Sequence, residues 1–135
     1  MKVFISRAPE NEALARKLGT ALQRDGWEVW DDDQILPGDN WAEKVGQALE
    51  ETQAMIVLLT GEALSSAAVR WEIAYALGNK RLKNRLIPVL VGSEENTSTH
   101  DFPWILNHLK MIKLPESGKE EEGIRQITEA LQAAA

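Results

Sequence analysis

The sequence predicts an α/β domain, a parallel sheet of five strands with helices packed on both of its faces. Three observations predict it. Short apolar runs recur along the chain at Val3-Phe4-Ile5, Trp27 to Trp30, Met55 to Leu59, Leu86 to Val91 and Met111 to Leu114. Stretches with apolar residues at helical spacing lie between them. The central run, Met55-Ile56-Val57-Leu58-Leu59, has no polar alternation, which is the pattern of a strand buried on both faces. Strands that alternate with helices build a parallel sheet. Five of them in 135 residues suit a three-layer, flavodoxin-like domain with strand order 2-1-3-4-5.

The helices follow from spacing. Leu14, Leu18, Ala21 and Leu22 fall at i, i+4, i+7 and i+8, and Trp41, Val45, Ala48 and Leu49 repeat the pattern. Val69, Ile73, Ala76 and Leu77 give a third helix of the same kind, each with one apolar stripe. Gly26 and Gly78 stand near the ends of the first and third helices, where glycine relieves a left-handed turn. Ile124, Ile127 and Leu131 mark the last helix, and Glu120-Glu121-Glu122 lie near its start, the end at which acidic groups are favourable. From Gly92 to Leu109 the chain is polar and turn-rich, with a short helix expected around Trp104 to Leu109. No repeat, linker or second domain is visible, so residues 1–135 read as one domain.

Composition narrows the function. The chain is 44% hydrophobic and 27% charged, enough for one sizeable core. A net charge of -6 gives no general attraction to phosphate backbones, so nucleic acid is not expected as a direct ligand. Lys80, Arg81, Lys83 and Arg85 form a local basic cluster that reads as cations at the negative pole of a helix. The absence of cysteine excludes disulfides, zinc-thiolate sites and cysteine nucleophiles. Met1 to Ser6 lacks the layout of a signal peptide, and no apolar stretch approaches the ~20 residues of a membrane span. A cytoplasmic protein without a membrane partner is expected, in which the sequon Asn96-Thr97-Ser98 is fortuitous.

In a sheet of this order, ligands bind beyond the carboxyl ends of the strands at the point where the order reverses, here between strands one and three. Ser6 to Glu10 and Thr60 to Ser66 would feed that crevice, and the second segment leads into the helix that carries Glu72. With Ser65 or Ser66 as the cap, Glu72 lies about 9 Å along that helix, on the boundary between core and solvent. Trp71 and Tyr75 would point nearly away from the core. The chain has neither a GxxxxGK[ST] loop nor a GxGxxG fingerprint. His100 and His108, the only histidines, have no paired metal-ligand spacing, and no metal is expected. A phospho-acceptor receiver is excluded because Thr60 and Gly61, not an aspartate, follow strand three, while Asp31-Asp32-Asp33 follow strand two.

These residues together resemble the TIR (Toll/interleukin-1 receptor) domain, in the form found in bacteria, across almost the whole chain. Val3-Phe4-Ile5-Ser6 is similar to the family's first box. Trp27 to Asp32 with Ile35-Leu36-Pro37-Gly38-Asp39-Asn40-Trp41 is similar to its second strand and BB loop. Ser66 to Glu72 resembles the third-helix motif S-x-W-x-x-x-E, Ile87-Pro88-Val89 the fourth strand, and Phe102-Pro103-Trp104 the third box. The chain departs from the pattern at Ala68, where the family has tryptophan, and that departure bears on rate and on whether the product is linear or cyclic.

The resemblance implies NAD+ as substrate, with no cofactor, and cleavage of the bond between nicotinamide and ribose. Glu72 is then the catalytic glutamate. Ser6, Arg7, Trp30, Asp32, Gly38, Trp41, Ser66 and Ala68 fall at pocket positions, with Arg7 suited to the pyrophosphate and Trp30 or Trp41 to the cationic pyridinium. Core packing is the other role open to both tryptophans. Pro37 and Asp39 of the BB loop, with Trp71 and Tyr75, would serve assembly with other TIR domains. An NAD+ nucleosidase activated by self-assembly, in antiphage defence and beside a sensor domain or protein, is one expectation. A non-enzymatic TIR–TIR interaction module is the other.

Overall fold

A computed structural model describes residues 2–30, 38–83, 85–91, 112–114 and 121–134. Five parallel strands form one sheet: β1 (Lys2–Ser6), β2 (Glu28–Trp30), β3 (Ala54–Leu59), β4 (Leu86–Val91) and β5 (Ile112–Leu114). Their order is β2-β1-β3-β4-β5, as the alternation of strands and helices predicts. The register pairs Phe4 with Trp30 on one side of β1 and with Met55 on the other. The helices are α1 (Glu12–Arg24), α2 (Trp41–Glu51), α3 (Gly61–Ser65), α4 (Ala67–Gly78), α5 (Lys80–Lys83) and α6 (Glu121–Ala134).

The two-residue period of the strands divides the core into two layers. Val3, Ile5, Ala54, Ile56 and Leu58 pack with Leu18 and Leu22 of α1 and Ile127 and Leu131 of α6. Phe4, Met55, Val57 and Leu59 pack with Val45 and Leu49 of α2, Ala63 of α3, and Val69, Ile73 and Ala76 of α4. All six residues of β3 are buried, as its unbroken apolar run requires. Each fully buried large aliphatic side chain here contributes about 1.5–3 kcal/mol relative to exposure.

Three local expectations are corrected. The segment after β3 is not an open loop, because Thr60 caps a short helix, α3, by accepting from Ala63 N at 3.0 Å. A single-turn 3-10 helix, Pro9–Asn11, likewise occupies the connection after β1. Gly26 takes the left-handed conformation that ends α1 (φ 91), but Gly78 does not, and α4 runs through it to close at Asn79. Asp32, Pro37, both histidines, Phe102-Pro103-Trp104, the sequon and the short helix expected around Trp104 to Leu109 lie outside the described residues.

Candidate active site

The switch point falls between β1 and β3, and the carboxyl ends of these strands deliver Ser6 and Thr60. Strand parity determines what Ser6 meets. Phe4 points into the layer that holds α4, so Ser6, two residues on, points there too. Its hydroxyl donates to Glu72 Oε1 at 2.5 Å, across 66 residues of sequence. Both residues are buried, Ser6 at 1% exposure and Glu72 at 0%. The distance is at the short end of the range for an O–H···O hydrogen bond.

The burial of Glu72 corrects the boundary position expected from the apolar stripe. Val69, Glu72, Ile73 and Ala76 form the buried arc of α4, while Leu77 is only half-buried. At about 100° per residue, exchanging Leu77 for Glu72 turns the centre of that arc by about 35° towards the carboxylate. The helix starts as expected. Ser66 is its N-cap, and its Oγ accepts from Val69 N at 3.3 Å, which places Glu72 about 9 Å along the axis. A carboxylate removed from water costs several kcal/mol unless hydrogen bonds replace its hydration. Ser6 supplies one such bond.

Arg7, the next residue after β1, is 6% exposed, with Nε enclosed. Across the switch point, Thr60 Oγ1 donates to Asn11 Oδ1 at 2.9 Å. This clasp joins the connections that follow β1 and β3. Sequence reading passed over Asn11. The only available signal was a polar pair, Asn11 and Thr60, at the two loops that topology brings together.

The tryptophans form two groups. Trp30 is half-buried at the end of β2 and stacks on Phe4 (centroids 4.9 Å, 18° between planes), on the same sheet face as Ser6. Trp41, the first residue of α2, meets Trp71 of α4 edge-on at 5.6 Å, and Trp71 in turn lies 5.8 Å from Tyr75. Trp71 is 40% exposed, whereas Tyr75 is half-buried against the core rather than pointing away from it. Ala68 is half-buried on the first turn of α4. Gly38 is exposed with φ 90, and Asp39, half-buried, precedes Asn40, whose side chain caps α2 by accepting from Glu43 N at 3.2 Å. Among the described residues no group of three or more acidic or histidine side chains could hold a metal ion, and no helix is long and apolar enough to cross a membrane.

The arrangement therefore offers one enclosed carboxylate, oriented by a hydroxyl, with aromatic rings on the same layer. That set suits stabilising positive charge. The TIR domain of the Toll-related receptor TRR-2 from Hydra magnipapillata is similar in structure, with a TM-score of 0.76 at 20% identity over 96% of this chain and 97% of that one. A metazoan TIR-STING receptor from C. gigas, solved in complex with 2',3'-cGAMP, gives 0.75 at 23% identity over 98% of this chain, which spans 38% of that longer one. No curated protein sequence matches the chain. The family model described as the TIR domain matches residues 3–128, and the chain belongs to the TIR-domain family.

Proposed function

We propose that this TIR domain is an NAD+ nucleosidase, which cleaves the nicotinamide–ribose bond to give nicotinamide and ADP-ribose or a cyclic variant. The observation that carries the reading is Glu72, a carboxylate enclosed at the switch point and held by Ser6. Nicotinamide departs as a neutral molecule from a cationic ring, so no general acid has to protonate it. The barrier lies in the positive, oxocarbenium-like ribose left behind, which water then captures with release of a proton to give ADP-ribose. A carboxylate in a water-poor site stabilises that charge far better than it would in water. Trp30, half-buried and stacked on Phe4 of β1, is the ring we assign to holding the pyridinium.

Glu72 is wholly covered in the single chain, so turnover requires a rearrangement that admits the substrate. Assembly with other TIR domains is the event we assign to this step, and antiphage defence in a bacterial cytoplasm is the setting. The C. gigas receptor is a longer chain in complex with a cyclic dinucleotide. It supports a sensor region or partner that drives such assembly. The test is nicotinamide release from NAD+ by concentrated protein. Release by the wild type and none by Glu72→Gln is expected. A silent wild type, or equal release by the two, would refute the reading.

A second reading has its own observation. Trp71 is the large apolar side chain left most exposed among the described residues, and it is braced by Trp41 and Tyr75. A rigid aromatic patch of this kind suits an interface, and the domain would then serve as a non-enzymatic TIR–TIR interaction module. Light scattering of Trp71→Ala against wild type tests it, and an unchanged mass removes the patch from assembly.

A further inference from the structure

The pocket position assigned to Ser6 leads one to expect its hydroxyl to face substrate. The geometry points elsewhere, and we propose that Ser6 is a positioning residue that sets the orientation of the Glu72 carboxylate for its work on the ribose. The proposal rests on the nucleosidase reading and adds to it the residue that makes Glu72 competent.

A serine hydroxyl has one proton to donate. Here it goes to Glu72 Oε1 at 2.5 Å, so it is not free to donate to a phosphate or to a ribose oxygen. What Ser6 controls is the carboxylate. A glutamate has three side-chain torsions, and the last of these is broad, so an unrestrained carboxylate samples many orientations. Ser6 stands at the carboxyl end of β1, where the strand is still paired with β3. Its neighbours Phe4 and Ile5 are buried, and its register partner in β3 is Val57. Glu72 stands on α4, whose start is fixed by the Ser66 cap. The hydrogen bond thus links two rigid elements and narrows the orientations open to the carboxylate. Transition-state stabilisation by a fixed charge depends on that charge being oriented before the reaction.

A substrate-lining hydroxyl and a positioning hydroxyl leave different kinetic traces. Losing the first weakens binding and raises KM. Losing the second leaves binding nearly intact and lowers kcat. Ser6→Thr and Ser6→Val have the same shape and suit a strand end, and they differ only in the hydroxyl. Comparing the two removes the effect of overfilling a buried site, which Ser6→Ala against wild type would confound with a cavity. Nicotinamide release from NAD+ is measured for wild type, Glu72→Gln, Ser6→Thr and Ser6→Val at concentrations where the wild type is active, with a thermal midpoint for each. The expected result is that the threonine variant keeps its kcat within a few-fold of wild type. The valine variant should fall about ten-fold or more below the threonine variant, with KM within about three-fold and similar midpoints. Equal kcat for threonine and valine overturns the positioning role, and so does a difference confined to KM. In both cases the nucleosidase reading stands if wild type is active and Glu72→Gln is not. A silent wild type removes both.

Discussion

The clasp between Asn11 and Thr60 gives the best-defined stability prediction. Thr60→Val keeps the shape of the side chain and removes its hydroxyl. Two interactions go with it: the cap on α3, where Oγ1 accepts from Ala63 N at 3.0 Å, and the donation to Asn11 Oδ1 at 2.9 Å. A lost cap costs about 1 kcal/mol. The second bond is half-buried and contributes about 1 kcal/mol more. Together they amount to about 2 kcal/mol. For 135 residues the entropy of unfolding is about 0.28 kcal/mol/K, so the midpoint should fall by about 7 °C. Circular dichroism melts of wild type, Thr60→Val, Asn11→Ala and the double variant make a cycle in which the pair should be coupled by about 1 kcal/mol. Thr60→Ser keeps both bonds and should lose less than about 1 kcal/mol. A valine variant that melts within a degree of wild type, or a cycle with no coupling, would show that the clasp is incidental to the fold.

Further outcomes follow from the same kind of reasoning. Gly46→Ala lies inside α2 with open space around the new methyl, and it should stabilise by about 0.5–1 kcal/mol in denaturant titration. Gly123→Ala would drive its methyl into Leu114 Cδ1, a buried side chain, so the same substitution there should destabilise by about 1–3 kcal/mol. Ser66→Ala removes the cap of α4 and should cost about 1 kcal/mol, with nicotinamide release falling more than the melt does because the turn that positions Glu72 frays. Arg125 beside Glu122 holds that carboxyl below its ordinary value of 4.5. A carboxyl depressed on folding stabilises above its unfolded value and loses that contribution as pH falls through the folded one. The difference in melting between wild type and Glu122→Gln should therefore be constant near neutrality and should vanish as pH drops below 4.5. The pair is fully exposed, so the difference should also shrink in high salt.

Much of the fold was legible because it depends on local pattern. The unbroken run Met55 to Leu59 marked the central strand, and the alternation of strands with helices carried the order. What failed depends on neighbours in space. A stripe on α4 drawn from Val69, Ile73, Ala76 and Leu77 assumes that apolar residues define the buried arc, but Glu72, which meets Ser6 at the end of β1, is buried and Leu77 is only half-buried. α4 also carries Ala67, Ala68, Trp71, Ala74 and Tyr75 outside that arc, so its sequence states its orientation weakly. The Ser6–Glu72 bond could have been inferred from parity, since Phe4 and Ser6 must share a face. The Asn11–Thr60 bond could not, because it depends on a 3-10 turn and a short helix that no periodicity announces.

The complete enclosure of Glu72 also has a meaning in terms of populations. A carboxylate with no exposed surface works only in the fraction of molecules that have opened, and the observed turnover is the intrinsic rate multiplied by that fraction. Each ~1.4 kcal/mol by which the covered form is favoured lowers the open fraction, and with it any background turnover, ten-fold. A partner that binds the open form more tightly by ~5.5 kcal/mol raises the open fraction from about one in a hundred to nearly all. On the proposed nucleosidase reading, the sealed carboxylate would set the leak, and the binding energy of assembly would set the gain.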